Sequence, residues 1–299
     1  MPSTAPVLPR EEWTARARAH AERLEPLVGP HLERSLRGEA HPVHDFLFTY
    51  YAQRPAALRR WHPGYGVVLE DAPEYDGLKG YDGGTVTAAY LASQRPLVEQ
   101  LHRLLAATAS RPPTLGCFGL HEWAMVYRSA PTGEEPGNVM RHAWPLRLGA
   151  VGTDEVVEGH RIGCSHFDAF RFFTPQAVPL NTLQPGSDDR PVFEQPGCLH
   201  AGMDLYKHAF RLTPLVSSDL VADAFELAWD IRILDMRAAP YDFTGVRLDP
   251  SGDEWTPVRI ETPEGKAEYV AMQREFSERG APIRQSVIEE CDRLLAAAS

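Results

Sequence analysis

Apolar residues recur three and four positions apart through PREEWTARARAHAERLEPLVGPHLERSLRG, residues 9 to 38, with Glu and Arg between them. That period predicts an amphipathic helical opening, broken near Gly29 and Pro30 into two helices. HPVHDFLFTYY, residues 41 to 51, starts on a proline and is too apolar for a solvated face, so a core helix is expected. A short helix from Pro55 to Trp61 should end at His62-Pro63-Gly64, because a residue before proline is pushed out of helical angles. Between Tyr65 and Tyr90 the turn-rich DAPEYDGLKGYDGG lies between GVVLE and TVTAAY, which reads as a small sheet or hairpin. Helical spacing returns from Leu91 to Ser110 and stops at Arg111-Pro112-Pro113.

The central third, about Ser129 to Pro196, is rich in proline and glycine, with strands expected near Pro145 to Leu148 and Val156 to Gly163. Gly119 to Tyr127 reads as a short buried segment. Gly202 to Arg237 reads as two helices parted at Thr213-Pro214, with Ser217 or Ser218 capping the second. Two more helices, Pro263 to Arg279 and Pro282 to Ala298, each open on a proline. The expected fold is mainly α (α+β), a single compact helical unit with a small central β element. One domain over 1–299 is expected, with N-terminal helices 9–64, a central mixed region 65–200 and C-terminal helices 202–298.

Composition narrows the function more than the fold. The 299 residues are 43% hydrophobic, enough for a sizeable core, and no run approaches the length of a membrane helix. MPSTAPVLPREEW lacks the basic start and apolar run of a signal peptide, so a cytoplasmic location without membrane association is expected. The formal charge of −11 excludes a broad basic face for nucleic acid, leaving only local contact. Four separated cysteines without a CxxC pair argue against a zinc knuckle or a disulfide framework. GxGxxG, GxxxxGK[ST] and GxSxG are all missing, which removes most weight from nucleotide-cofactor oxidoreductases, P-loop NTPases and α/β-hydrolases.

Twelve histidines, several beside acidic or aromatic residues, concentrate the candidate chemistry. GCSHFDAFRFFTP puts His166, Asp168 and Arg171 among Phe167 and Phe170, where aromatic walls shift pKa values and hold a planar ligand. A core helix with an Asp168–Arg171 pair explains the same residues equally well. QPGCLHAGMDLYKHAF spaces His200, Asp204 and His208 by four, with Tyr206 and Lys207 on the same segment. That spacing suits a metal or an Asp-oriented histidine, or an ordinary helical ion pair. GLHEWAMVYR offers His121 and Glu122 as acid or base and Trp123 and Tyr127 as a stacking wall, or as core. Arg54, Arg59 and Arg60 interleave with aromatic residues as a phosphate-contact surface would, or as a surface cluster around a helix end, and Arg141-His142 offers a further anion contact or a solvated arginine.

The blocks HPVHDFLFTYYAQRPAALRRWHPGYGVVL, GCFGLHEWAMVYR, SHFDAFRFFTP, QPGCLHAGMDLYK and DIRILDMRAAPYDF carry a resemblance over nearly the whole chain. The chain resembles a family of bacterial, mostly actinobacterial, proteins of similar length labelled 3-methyladenine DNA glycosylase. The resemblance implies release of a modified purine, from DNA or from a nucleoside, by hydrolysis of an N-glycosidic bond; no cofactor is expected, a bound divalent metal being the alternative, and no protein partner is evident. Such a reaction needs a carboxylate against the developing sugar cation and aromatic walls for the base. Asp168 is the leading carboxylate, with Asp204 and Glu122 in reserve. His166 or His121 would protonate or orient the base, and Trp123, Tyr127, Phe167 and Phe170 would stack on it. Arg171, His200, Tyr206 and Lys207 complete the binding set, and Arg54, Arg59 and Arg60 meet phosphate. The alternative is a non-haem iron or zinc enzyme acting on a small molecule, with ligands from His121, Glu122, His166, Asp168, His200, Asp204 and His208.

Overall fold

Trp13, His20, Leu24 and Val28 form one buried stripe on a helix that runs unbroken from Arg10–Leu36, with Pro26 and Pro30 inside it. Two helices were expected here. A proline withdraws only its own N–H bond and crowds one carbonyl, while Leu24 and Val28, both fully buried, hold the helix on its packing face. The same correction applies at the C-terminal end, where a single helix spans Pro263–Ala297 through Pro282. Tyr269 and Gln273 are buried before that proline, and Val287, Cys291 and Leu294 after it.

This computed structural model describes residues 5–129, 144–248 and 252–298. Among them are eleven α-helices and one four-stranded sheet, the mainly α fold with a small β element that the pattern predicts. The chain divides into two compact units: Met1–Ala106 with Asp204–Trp229 and Pro282–Ser299, and Ala107–Met203 with Asp230–Ala281.

In the first unit the sheet has the order β1-β2-β4-β3, from β1 (Val7–Leu8), β2 (Val68–Leu69), β3 (Tyr81–Asp82) and β4 (Thr85–Val86). Val7 pairs with Val68 in parallel, and Val68 with Thr85 antiparallel. The hairpin was expected, but β1 was not, because two residues are too few to show a period. Beside the sheet, Trp13, Trp61, Leu69, Ala72 and Tyr75 form a core cluster, with the Trp13 indole donating to the Glu70 carbonyl at 2.9 Å. The helix expected over residues 41 to 51 shrinks to Phe46–Thr49. Asp45 accepts the His41 amide at 2.7 Å, and His41 Nδ1 accepts the amides of Val43 and His44 at 3.2 and 3.1 Å, so side chains take bonds a helix would use. The helix Ala88–Ala109 matches the expected one within three residues at its start, and the helices Leu199–Arg211 and Ser218–Ala238 part at Thr213-Pro214 as expected. Ser217 caps the second, its hydroxyl accepting the Asp219 amide at 3.1 Å.

In the second unit the strand expected over 156–163 is instead part of a helix, Gly149–Glu158. Thr153, Val156 and Val157 are buried at three and four spacing, so the β-branched pair follows the helical period rather than alternation. Pro145 to Leu148 gives only an isolated bridge, Leu146 to Tyr241. Trp123 anchors this core: it is fully buried, donates to the Ala238 carbonyl at 2.9 Å, and carries Arg147 over its ring at 5.1 Å. Arg147 is itself held by Glu261 through two bonds of 2.6 Å.

Candidate functional site

Several titratable side chains of the second unit line a cavity of about 440 Å³. Its walls come from loop 111–117, the turn carrying His121, loop 161–165, Thr182 and Leu183, segment 193–200, and Tyr269. Two amide side chains tie these stretches together. Gln195 Oε1 accepts the amides of Thr114 at 2.8 Å and Gly197 at 2.7 Å, and its Nε2 donates to the Thr114 carbonyl at 3.3 Å. A Cβ on Gly197 would stand 2.7 Å from that carbonyl, so only glycine fits between the two loops. Asn181 accepts the Cys164 amide at 2.7 Å and donates to the carbonyls of Cys164 and Leu183 at 2.9 and 2.6 Å. Arg111 hydrogen-bonds the carbonyls of Ala107, at 2.8 Å, and Glu194, at 3.0 Å, so its guanidinium braces the wall.

His121 stands on this wall, on the short helix Leu120–Ala124, and is buried. Its Nε2 is 2.9 Å from Asp235 Oδ1, and its Nδ1 is 3.7 Å from Cys117 Sγ. Asp235 in turn accepts from Arg232 at 2.7 Å, and Glu122 lies 3.8 Å from the same guanidinium. Burial alone would push the His121 imidazole down, but the Asp235 carboxylate and then Cys117 reverse this and hold it well above the usual histidine value. Burial would likewise push the Asp235 carboxyl up, and His121, Arg232 and His200 hold it well below the ordinary carboxylate range. The buried Arg232 guanidinium thus meets carboxyl oxygens of both Asp235 and Glu122, and Asp235 in turn holds His121.

His200 lines the cavity as well, its ring edge-on to His121 with centroids 4.5 Å apart. His121, His200 and Asp235 each offer a donor atom within 4.8 Å of the other two, a spacing that a cation could also occupy. His166 is buried next to His200, at 5.4 Å between ring centroids, with Nε2 3.4 Å from a Glu194 oxygen. Cys117, Cys164 and Cys198 all reach the cavity. Burial first, then neighbouring thiols, pushes the Cys164 and Cys198 thiols upward, so both stay protonated. Burial also lifts the Tyr269 phenol, another wall group, well above its usual value.

Of the residues nominated from sequence, the structure therefore brings together His121, His166, His200 and Glu122. Asp168 is not on the cavity wall; it pairs with Arg171 at 3.5 Å and Arg190 at 3.9 Å, the ordinary ion pair weighed above. The helix there covers only Phe167–Phe170, and Phe170 packs edge-on to Phe173. Trp123 is core, and the Tyr127 hydroxyl donates to Glu158 at 2.8 Å. Asp204, Tyr206, Lys207 and His208 belong to the first unit, where Asp204 is buried with Lys207 at 3.4 Å and His208 at 3.9 Å. In that unit Tyr206 packs edge-on to Tyr51 and Phe225. Arg59 is paired with Glu25 at 2.6 Å, while Arg54 and Arg60 are exposed. Arg141 and His142 lie outside the described residues.

Asp235 and Arg232 went unnominated, although DIRILD spaces them three apart, as an ion pair on one helix face would be. The convergence of the three cysteines has no sequence signal, since tens of residues separate them. Comparison with known protein families, with curated proteins and with solved structures finds no match to the chain.

Proposed function

We propose that the protein is a hydrolase of a carbon–nitrogen bond in a small planar molecule, a modified purine nucleoside first among them, with His121 as the proton donor. The observation that carries this reading is a histidine held protonated by a buried carboxylate and facing a ligand-sized cavity. A departing nitrogen is a poor leaving group until it gains a proton, and a protonated imidazole whose other nitrogen is fixed by Asp235 supplies one. His200 and Tyr269 offer further hydrogen-bonding groups on the same walls. Among the described residues no carboxylate lines the cavity, so the negative charge of Asp235 reaches a substrate through the imidazole. A net charge of −11 and the pairing of Arg59 with Glu25 favour a free nucleoside or base over duplex DNA.

The test is mass-spectrometric detection of products after incubating the full chain with alkylated duplex DNA and, separately, with 3-methyladenosine and related modified nucleosides. Free base or ammonia released from the nucleosides, and lost in folded Asp235→Asn, is the expected result. Absence of any carbon–nitrogen cleavage from either substrate overturns the reading. Zinc or iron that co-purifies stoichiometrically and is lost in Asp235→Asn would replace the proton donor with a metal-dependent hydrolase.

A further inference from the structure

The cavity wall carries a third group in line with the His121–Asp235 pair. Cys117 Sγ is 3.7 Å from His121 Nδ1, the nitrogen on the side of the ring away from Asp235. Thiol, imidazole and carboxylate thus stand in the order that activates a nucleophile: a sulfur, a base within reach of it, and an anion that orients the base. Cys117 is half-buried and opens on the cavity, and it is followed by Phe118 and Gly119 with φ of 49° and 68°. A phenylalanine in the left-handed region is strained, and such strain persists where surrounding structure fixes the turn. Gly119 is fixed by crowding, since a Cβ there would meet the Ala238 Cβ at 3.3 Å. The turn therefore sets Cys117 before the helix that carries its partner, four residues on.

Among the described residues the other two cavity thiols have no such imidazole–carboxylate pair in line. The Cys164 thiol donates to the His166 carbonyl at 3.7 Å, and its amide is held by Asn181. Cys198 sits at the start of the helix Leu199–Arg211, where its carbonyl accepts the Gly202 amide at 3.0 Å. One cavity with three thiols, only one of them aligned with an imidazole–carboxylate pair, assigns different roles to chemically identical side chains.

We propose that Cys117 is the covalent nucleophile of this cavity, and that the bond it attacks lies at a trigonal carbon bearing a nitrogen leaving group, as in an amide or amidine. The inference deepens the hydrolase reading and rests on it for the role of His121. The single proton that Cys117 Sγ and His121 Nδ1 share rests on the imidazolium, and the Cys117 sulfur forms a bond to the trigonal carbon. The carbon–nitrogen bond then breaks as His121 gives that proton to the departing nitrogen. Water attacks the resulting thioester or thioimidate and gives a proton to the now neutral His121 ring, and the sulfur–carbon bond breaks, which restores the pair. The net change is addition of one water across the carbon–nitrogen bond, with no oxidant or reductant. A thiolate suits this class because a thioester is readily hydrolysed, whereas a thioglycoside formed at a sugar carbon is not.

Two probes on the full chain test this. Iodoacetamide at pH 6.5, read by intact mass and peptide mapping, should modify Cys117 at least tenfold faster than Cys164 or Cys198 in the same molecules. Folded Asp235→Asn should lose most of that advantage, while Asp168→Asn keeps it. p-Nitrophenyl acetate should place one acetyl group on Cys117, which water then removes, and Cys117→Ser should show no such turnover. Equal labelling of the three thiols, or an acetyl group that lands elsewhere or is never released, overturns the proposal. The wild-type labelling comparison needs no variant, so a variant that misfolds leaves the proposal decidable. Purine release with an unreactive Cys117 would sink this inference alone, and a reactive Cys117 without purine cleavage would sink only the preferred substrate.

Discussion

His121 Nε2 and Asp235 Oδ1 stand 2.9 Å apart although 114 positions separate them in the chain, and neither side chain is exposed by more than 3%. The contact joins the short helix Leu120–Ala124 to the helix Ser218–Ala238, and against the downward push of burial the Asp235 carboxylate raises the His121 imidazole most.

Asp235→Asn should destabilise the fold by about 3–5 kcal/mol at neutral pH, the range for breaking one partner of a buried pair. The effect has a pH window. Asp235 is depressed, so its contribution is present above the ordinary carboxylate range and is lost as pH falls through its native value. His121 is raised, so its contribution is full below about pH 6.5 and is lost as pH rises through its native value. Urea midpoints of wild type and variant should differ most between these limits and converge at both ends. A pH-independent difference would remove the charged pair from the account.

His62 gives an opposite sign in the first unit. Burial first, then Arg60 and His20, pushes its imidazole down to about 4, so the folded ring is neutral while an unfolded one near 6.5 takes a proton. Stability should therefore fall as pH drops from about 6.5 to 4, by up to roughly 3 kcal/mol in total. His62→Gln should flatten that part of the thermal-unfolding curve, and an unchanged acid limb would assign the loss to other groups.

Gln195→Ala should cost about 1–3 kcal/mol, because the Thr114 and Gly197 amides lose their shared acceptor. Asn181→Ala should cost a similar amount through the Cys164 amide. Chemical denaturation reads the loss. Hydrogen exchange should localise it to residues around 114, 164 and 197, and protection unchanged at these amides would contradict the bracing role.

Trp123→Ala should cost about 3–5 kcal/mol through the cavity left by a fully buried indole and the unmet Ala238 carbonyl. A stacking wall for substrate would instead lose ligand affinity with little change in unfolding midpoint, so the two measurements together separate core from site.

Much of the fold was legible because helical periodicity is local. The segments Ala88–Ala109 and Ser218–Ala238 announce themselves through their spacing, and Ser217 through its place before the second. Pro30 and Pro282 misled because the penalty for proline in a helix is local, whereas the burial that outweighs it is contributed by residues on either side. Val156 and Val157 misled because two β-branched residues side by side fit either period until Thr153 is counted with them. Of the site, His121 and His200 stood out by residue type and neighbours. Asp235 did not, since a carboxylate three positions after an arginine is an ordinary helical pair until a distant histidine arrives beside it. The same blindness applies to Asn181 and Gln195, whose amides matter only through the loops they join.

Arg232 and Asp235 are one turn apart on the helix Ser218–Ala238. Each residue of an α-helix turns the side-chain direction by about 100°. A single-residue insertion or deletion between Trp229 and Arg232 would therefore swing both charges off the face that meets His121, while leaving the composition of the segment almost unchanged. The helix works as a phase-locked spacer: substitutions along its outer side leave this register in place, but a slip of one position unplugs the imidazole from its counter-ion.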